Sequence, residues 1–227
     1  MWRFPVKSVG GEQLASAAVD ERGIEFDRAW SIFDPATDLT LTARREPRLL
    51  FLSATVVDSR PRITTDQGDD VSTDDALTAW LDRPVELRSV LDGPGTFENP
   101  LDIDNETDWM QWQSAGLSFH DGPSTVSFVS RNSLRDWDVR RFRLNLVFDE
   151  DADDDLTGEV AIGAVTLSVR KPIERCVMVT RAQPGIERDL QVLKTVIRER
   201  DNKLGVGATV SNSGRIAIGD EVRETPG

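Results

Sequence analysis

The 227-residue sequence contains one cysteine, Cys176, and one histidine, His120. A lone cysteine excludes an internal disulfide, a zinc–thiolate cluster and an iron–sulfur site built from this chain alone. A lone histidine excludes histidine-rich metal sites and argues against a Ser-His-Asp hydrolase triad. A redox metal here must therefore arrive with most of its ligands, inside an organic cofactor. No apolar run approaches the roughly 18 residues of a membrane span. The start, Met1-Trp2-Arg3-Phe4-Pro5-Val6-Lys7, lacks the apolar core and cleavage site of a secretory signal. It reads as a first strand, and a cytoplasmic protein without a membrane partner is expected. Lysine is scarce too: only four of the 27 basic residues, against 40 Asp and Glu. A net charge of −13 argues against nucleic acid, whose binders need a cationic track. Arginine in place of lysine, with aspartate exceeding glutamate, fits an acidic protein of a high-salt cell, where screening weakens self-repulsion. An ordinary acidic surface is the alternative. The acidic run Asp149 to Asp155 reads as a solvated loop.

What is present belongs to a globular, mostly β chain with few helices. Residues 1–92 read as a β-rich unit and residues 93–227 as a second, larger one. Asp92-Gly93-Pro94-Gly95, followed by Asn99-Pro100, marks the hinge. In the first unit, Ala29 to Phe33 and Leu49 to Val57 are strand-like runs. Thr73 caps an expected helix from Asp74 to Leu81, with an inner stripe of Ala76, Leu77, Trp80 and Leu81. In the second unit, Val165, Leu167 and Val169 alternate with period two, and Thr125 to Ser130 and Lys203 to Val210 supply further strands. A helix is expected from Ile186 to Arg200, its stripe formed by Ile186, Leu190, Leu193, Val196 and Ile197, with Gly205 just past its end. Gly214 and Gly219 flank a short strand from Arg215 to Ile218.

Three basic patterns and one thiol are the candidates for chemistry. Read as a strand, Arg140 to Phe148 sends Phe142, Leu144, Leu146 and Phe148 into the core and lines Arg141, Arg143 and Asn145 along the opposite face. Two guanidiniums beside an amide call for an anion, and arginine's fork suits phosphate; surface carboxylates could equally pair with them. Arg44-Arg45-Glu46-Pro47-Arg48 is a second basic cluster, and Lys7-Ser8 a third candidate. Each alone is more often a surface charge than a ligand contact. Cys176 follows a proline turn and Arg175. A lone cysteine is commonly a small buried hydrophobe, but neighbouring arginines favour the thiolate, a soft ligand for a polarisable metal.

Together these segments resemble the MOSC proteins, named for the C-terminal domain of molybdenum-cofactor sulfurase. Phe4-Pro5-Val6-Lys7-Ser8 and Thr42-Ala43-Arg44-Arg45-Glu46-Pro47-Arg48-Leu49 resemble motifs of that family's N-terminal β-barrel domain. Asn132-Ser133-Leu134, Arg141-Phe142-Arg143-Leu144-Asn145 and Arg175-Cys176-Val177-Met178-Val179-Thr180 resemble its MOSC domain, as do Asp189 to Lys194 and Gly219-Asp220-Glu221-Val222. Leu144 stands where relatives commonly have proline.

The resemblance implies a β-barrel MOSC fold and a molybdenum cofactor bound between the two units, with Cys176 as the protein's ligand to the metal. It implies phosphate and pterin contacts from Lys7, Ser8, Arg44, Ser133, Arg143 and Asn145, and, more distantly, Arg45, Arg141 and Arg175. Among architecturally similar proteins are the amidoxime-reducing ones. The resemblance therefore implies an oxidoreductase acting on small N-hydroxylated or N-oxygenated compounds through Mo(IV)/Mo(VI). Electrons would come from a separate ferredoxin-, flavodoxin- or cytochrome b5-like donor. Pyridoxal phosphate is not expected, since 227 residues leave no room for the desulfurase domain that uses it. A cofactor carrier or sulfur-handling protein is the first alternative. A non-catalytic β-barrel binding module is the second.

Overall fold

The computed structural model describes residues 1–100, 108–114, 116–149 and 156–225. Most of the acidic run, from Glu150 to Asp155, lies outside these residues. The chain is mostly β-strand with few short helices. One sheet has the order Trp109–Gln113, Thr96–Pro100, Leu39–Thr40, Trp30–Asp34, Glu86–Ser89, and a second runs Leu146–Phe148, Val126–Ser130, Lys203–Asn212, Val165–Glu174, Glu159–Ile162, Val222–Thr225. The two ten-residue strands of the second sheet pair antiparallel, with register breaks between Val169 and Lys171 and between Pro172 and Glu174. Such breaks bend and twist a strand, and here they curl the sheet and carry the chain towards Cys176.

The pairing crosses residue 92 in both directions. Gly214–Ala217 pairs with Ser16–Asp20, while Thr96–Pro100 joins Leu39–Thr40. The expected hinge leads straight into that strand. The first strand is also shorter than expected: it ends at Arg3, and Val6 makes only an isolated bridge to Trp30.

Helix α1 (Asp74–Leu81) forms as its sequence predicts, with the Thr73 side chain accepting from the Ala76 amide. Leu77 and Leu81 are buried and Ala76 and Trp80 pack partly against the same core; each buried leucine contributes about 1.5–3 kcal/mol. After α2 (Arg131–Leu134) comes α3, Leu190–Arg200, capped by Asp189. It starts four residues later than expected, and the stripe differs. Val192 and Val196 are its buried residues, whereas Leu190 and Ile197 are exposed. A spacing counted from Ile186 leaves Val192 out of the stripe, because Ile186 lies before the helix and bridges to Gln183. Asp201, in the left-handed conformation, ends the helix. Gly205 lies inside strand Lys203–Asn212 at a φ of +76°, where a Cβ would stand 2.8 Å from the Phe128 carbonyl oxygen.

The largest departure is at Arg140 to Phe148. Only Leu146–Phe148 is strand; Val139–Arg141 is a 3-10 turn, and Arg143 has a φ of 54°. The four hydrophobic residues are buried as the alternation requires. Their polar neighbours do not share a face, because the left-handed step at Arg143 rotates the chain between them.

Two buried polar groups tie the N-terminal segment to the rest. Asn145, fully buried, accepts from the Ser127 amide at 3.1 Å and the Ser127 hydroxyl at 2.9 Å and donates to the Trp2 carbonyl at 3.3 Å. Asp27 is also buried. Its Oδ1 accepts from the Phe4 amide at 2.7 Å and its Oδ2 from Arg28 Nη1. Burial alone would raise its pKa. The charge of Arg28, then His120 and the Phe4 amide, reverse that, and the net direction is down.

Asn145→Leu is expected to lower the unfolding free energy by about 1–3 kcal/mol, the cost of orphaning buried partners, read from urea denaturation. Asp27→Ala is expected to cost about 3–5 kcal/mol, because a buried guanidinium loses its counter-charge. Since the folded pKa of Asp27 lies below the unfolded one, its contribution is complete above about pH 4 and is lost as pH falls further. Asp27→Asn should therefore flatten the acid limb of the stability curve; an unchanged limb would contradict this assignment.

Candidate functional site

A cleft of about 480 Å³ opens between the N-terminal segments and the curled sheet. One wall carries Lys7, Ser8, Arg28 and Arg44, and the other carries Arg141, Arg143, Lys171, Arg175 and Cys176. Seven lysines and arginines line it against two carboxylates, Asp121 and Glu174, in a chain of net charge −13. A cationic pocket in so acidic a molecule focuses field lines onto an anionic ligand.

Cys176 is free and half-buried. It caps the 3-10 turn Val177–Thr180 in extended conformation, with φ −120° and ψ 179°. Arg175, one residue before, is buried. Its guanidinium donates to the carbonyls of Phe142 at 3.0 Å and Leu204 at 2.8 Å. Cys176 and Arg175 both line the cleft. The same cleft is lined by Arg44 and Arg143.

Arg143 is the most unusual side chain of the cleft. It is half-buried, Nη1 donates to the Val9 carbonyl at 2.6 Å, and its guanidinium lies 4.4 Å from the Phe4 ring centre. Its Nη2 atom is buried with no hydrogen-bond partner among the described residues. Burial, with Arg28 adding repulsion, pushes its pKa down to about 9. An orphaned buried donor on a cation costs about 1–3 kcal/mol or more, and an anion in the cleft would remove that cost. Ser8, Arg28 and Arg143 all hold left-handed backbone, with φ of 66°, 48° and 54°. Strain of this kind, on the order of 1–3 kcal/mol each, concentrates at binding sites. A phosphorylated, anionic cofactor with a metal in need of one soft ligand fits this donor set.

The other expected residues divide. Lys7 is buried, and its Nζ donates to the Phe119 carbonyl at 3.0 Å and to Asp121, 4.1 Å from the Phe97 ring centre. Burial lowers its pKa and Asp121 opposes the fall. The Ser8 hydroxyl accepts from the Ala43 amide at 3.0 Å, joining the two N-terminal motifs. Arg141 lines the cleft while clamping the Cys176 loop through the Val179, Arg181 and Glu187 carbonyls. Arg45, Ser133 and Asn145 are not among the described residues lining it. Arg45 pairs instead with Glu98 over the Trp109 ring, 3.5 Å from its centre. Ser133 is buried inside α2, and Asn145 is committed to Ser127 and Trp2. Among the described residues no group of three or more His, Cys, Asp or Glu could hold a metal ion unaided.

Sequence reasoning missed Asp27, Arg28 and the role of His120. Arg28 Nη1 meets Asp27, and Nη2 donates to the Arg143 carbonyl at 2.7 Å. The available signal was an Asp-Arg pair immediately before the apolar run at Ala29. The structure also brings Ser118, His120 and Asp27 into a line, with Ser118 Oγ 2.6 Å from His120 Nδ1 and His120 Nε2 3.2 Å from Asp27 Oδ2. Ser118 is buried and is not among the described cleft-lining residues, so its hydroxyl is not presented to a substrate there.

Residues 1–92 match the MOSC N-terminal beta barrel domain and residues 121–223 match the MOSC domain. Molybdenum cofactor sulfurase 2 of Aedes aegypti is 26% identical over 230 residues, covering 91% of this chain and 29% of that protein. The molybdenum cofactor sulfurase of Homo sapiens is 23% identical over 264 residues, covering 91% and 29%. This chain thus spans about three tenths of the length of the curated relatives it matches. The YuaD protein of Bacillus subtilis aligns in structure with a TM-score of 0.49 at 10% identity, covering 98% of this chain and 91% of that one. No helix among the described residues is long and apolar enough to cross a membrane. With both domain matches in chain order and together spanning most of its length, the chain belongs to the MOSC family.

Proposed function

We propose that this protein binds a molybdenum cofactor in the cleft and reduces small N-hydroxylated or N-oxygenated compounds with electrons from a separate donor protein. One observation carries the reading: a half-buried, free cysteine lines the same cleft as Arg143, whose buried Nη2 has no partner among the described residues. A thiolate suits a polarisable metal, and the guanidinium suits the cofactor's phosphate.

When bound, the cofactor supplies the electrophile and two-electron store that break the N–O bond. The chain's own residues do the rest. Cys176 Sγ would hold the metal, and Arg175 and Arg141 fix the backbone on either side of that sulfur. Arg143, Arg28, Arg44 and Lys7 would neutralise the anionic cofactor, with Ser8 keeping the Lys7 and Arg44 segments together. The walls beside Cys176 also carry Pro172, Ile173 and Met178, an apolar rim that receives the organic part of a substrate and limits water around the sulfur.

A cofactor-handling role is the second reading, favoured by the curated relatives, which are named as molybdenum cofactor sulfurases. One experiment separates the two: molybdenum content and amidoxime turnover with a chemically reduced donor, measured on wild type, Cys176→Ala and Arg143→Met from a host that makes the cofactor. Reductase function predicts molybdenum and turnover in wild type, both lost from Cys176→Ala while its melting temperature matches that of cofactor-free wild type. Arg143→Met should retain less than about a tenth of the metal, the effect of losing one charge-assisted anion contact. Metal without turnover selects the carrier. Metal and turnover both surviving in Cys176→Ala sinks the ligand assignment.

A further inference from the structure

His120 lines the cleft and is the only histidine of the chain. Its Nδ1 is engaged by the Ser118 hydroxyl at 2.6 Å. Its Nε2 stands 3.2 Å from Asp27 Oδ2, yet is buried without an aligned hydrogen bond. The oxygen it faces already accepts from Arg28 Nη1. With Nδ1 accepting from Ser118, the neutral ring carries its proton on Nε2, towards Asp27; in the doubly protonated ring the same contact becomes charge-assisted.

The surrounding charges oppose that proton. Burial is the main cause that lowers the pKa of His120; Asp27 pulls it up, and Arg28 and Lys7 push it down. Lys7 stands on the N-terminal segment and Arg28 on the following loop. Asp121, the next residue, is paired with Lys7, and Arg143 reaches the same group from the opposite wall, where Arg28 repels it and Asp27 and Asp121 attract it. Both carboxylates sit below their ordinary pKa, the buried Asp27 through Arg28 and the exposed Asp121 through Lys7, so they stay anionic near neutrality.

We propose that His120 takes up a proton when an anion enters the cleft, so that the cleft accepts its anionic ligand and a proton together. An anion against Arg28 and Lys7 cancels their repulsion of an imidazolium and leaves the attraction of Asp27. The proton goes to Nδ1, where the Ser118 hydroxyl turns from donor to acceptor; the Nε2–Asp27 contact becomes charge-assisted, and the added positive charge strengthens the hold on the anion. Linkage makes the effect reciprocal: affinity for the anion rises as pH falls through the range where His120 titrates. This rests on the reading of the cleft as an anion site and goes beyond it by naming the group that titrates with binding.

The single histidine makes the test direct. Its Hε1 resonance is followed by NMR in the full chain from about pH 5 to about pH 8, the range of histidine titration. The titration is run with and without saturating sulfate, chosen because it carries a constant charge there, against chloride at matched ionic strength. The expected result is an upward pKa shift on the order of one unit with sulfate. Calorimetry should show sulfate binding strengthening about tenfold over the same fall in pH and staying flat in His120→Gln. Sulfate that binds without moving the His120 titration overturns this inference and leaves the anion-site reading standing. Sulfate that binds at no pH overturns both. The wild-type titration decides the matter even where His120→Gln fails to fold.

Discussion

A carboxylate withdrawn from water stays ionised only where donors replace its hydration, and Asp27 is where this structure meets that demand. Its partners come from three separated stretches: the Phe4 amide, the Arg28 guanidinium and the His120 ring. Arg28 then reaches the Arg143 carbonyl, and Arg28 and Arg143 lie over the Phe4 ring at 4.8 Å and 4.4 Å. The cleft's position follows from this knot. The N-terminal segment is held against the curled sheet by charge and ring contacts, and the cavity is the space between the Lys7–Ser8 stretch and the Cys176 loop. Core packing alone, spread over separate hydrophobic clusters, would not aim these side chains at one point.

Local signals in the sequence were reliable where a single principle governed. Thr73 capped its helix, the alternation at Val165 made a strand, and Phe142, Leu144, Leu146 and Phe148 were buried as their spacing implied. They failed where a backbone choice overrode the pattern. Nothing in Arg141-Phe142-Arg143 announces a left-handed arginine, so a continuous strand was the natural reading. The true arrangement sends Arg141, Arg143 and Asn145 to three different sets of partners. Family motifs brought Lys7, Ser8, Arg44, Arg143 and Cys176 to one cleft, yet they also included Asn145, which holds Trp2 and Ser127 together. Asp27, Arg28 and His120 were illegible because their meaning lies in contacts across 23 to 115 residues of chain, which neither periodicity nor composition reports.

Two kinds of electrostatics coexist in this molecule. The exposed acidic residues repel one another through water, and added salt weakens that repulsion within a Debye length of about 10 Å or less. The guanidiniums of the cleft are withdrawn from bulk water to different degrees, Arg175 being buried and Arg28, Arg44, Arg141 and Arg143 half-buried, so salt screens them less than the exposed carboxylates. A chain so built keeps an attractive interior for anions while its outer charge is tuned by the medium. The surplus of arginine over lysine serves the interior better, since guanidinium is weakly hydrated and keeps its charge under burial.

The exchange of strands across residue 92 has a consequence for how such a protein can be divided. Ser16–Asp20 takes its partner from Gly214–Ala217, and Thr96–Pro100 lies against Leu39–Thr40. Two fragments cut at that point would each carry naked hydrogen-bonding edges, the surfaces on which chains aggregate. The two family domains are separable as stretches of sequence, yet the first takes strand partners from beyond residue 92, so a fragment of either one loses edges that the whole chain covers.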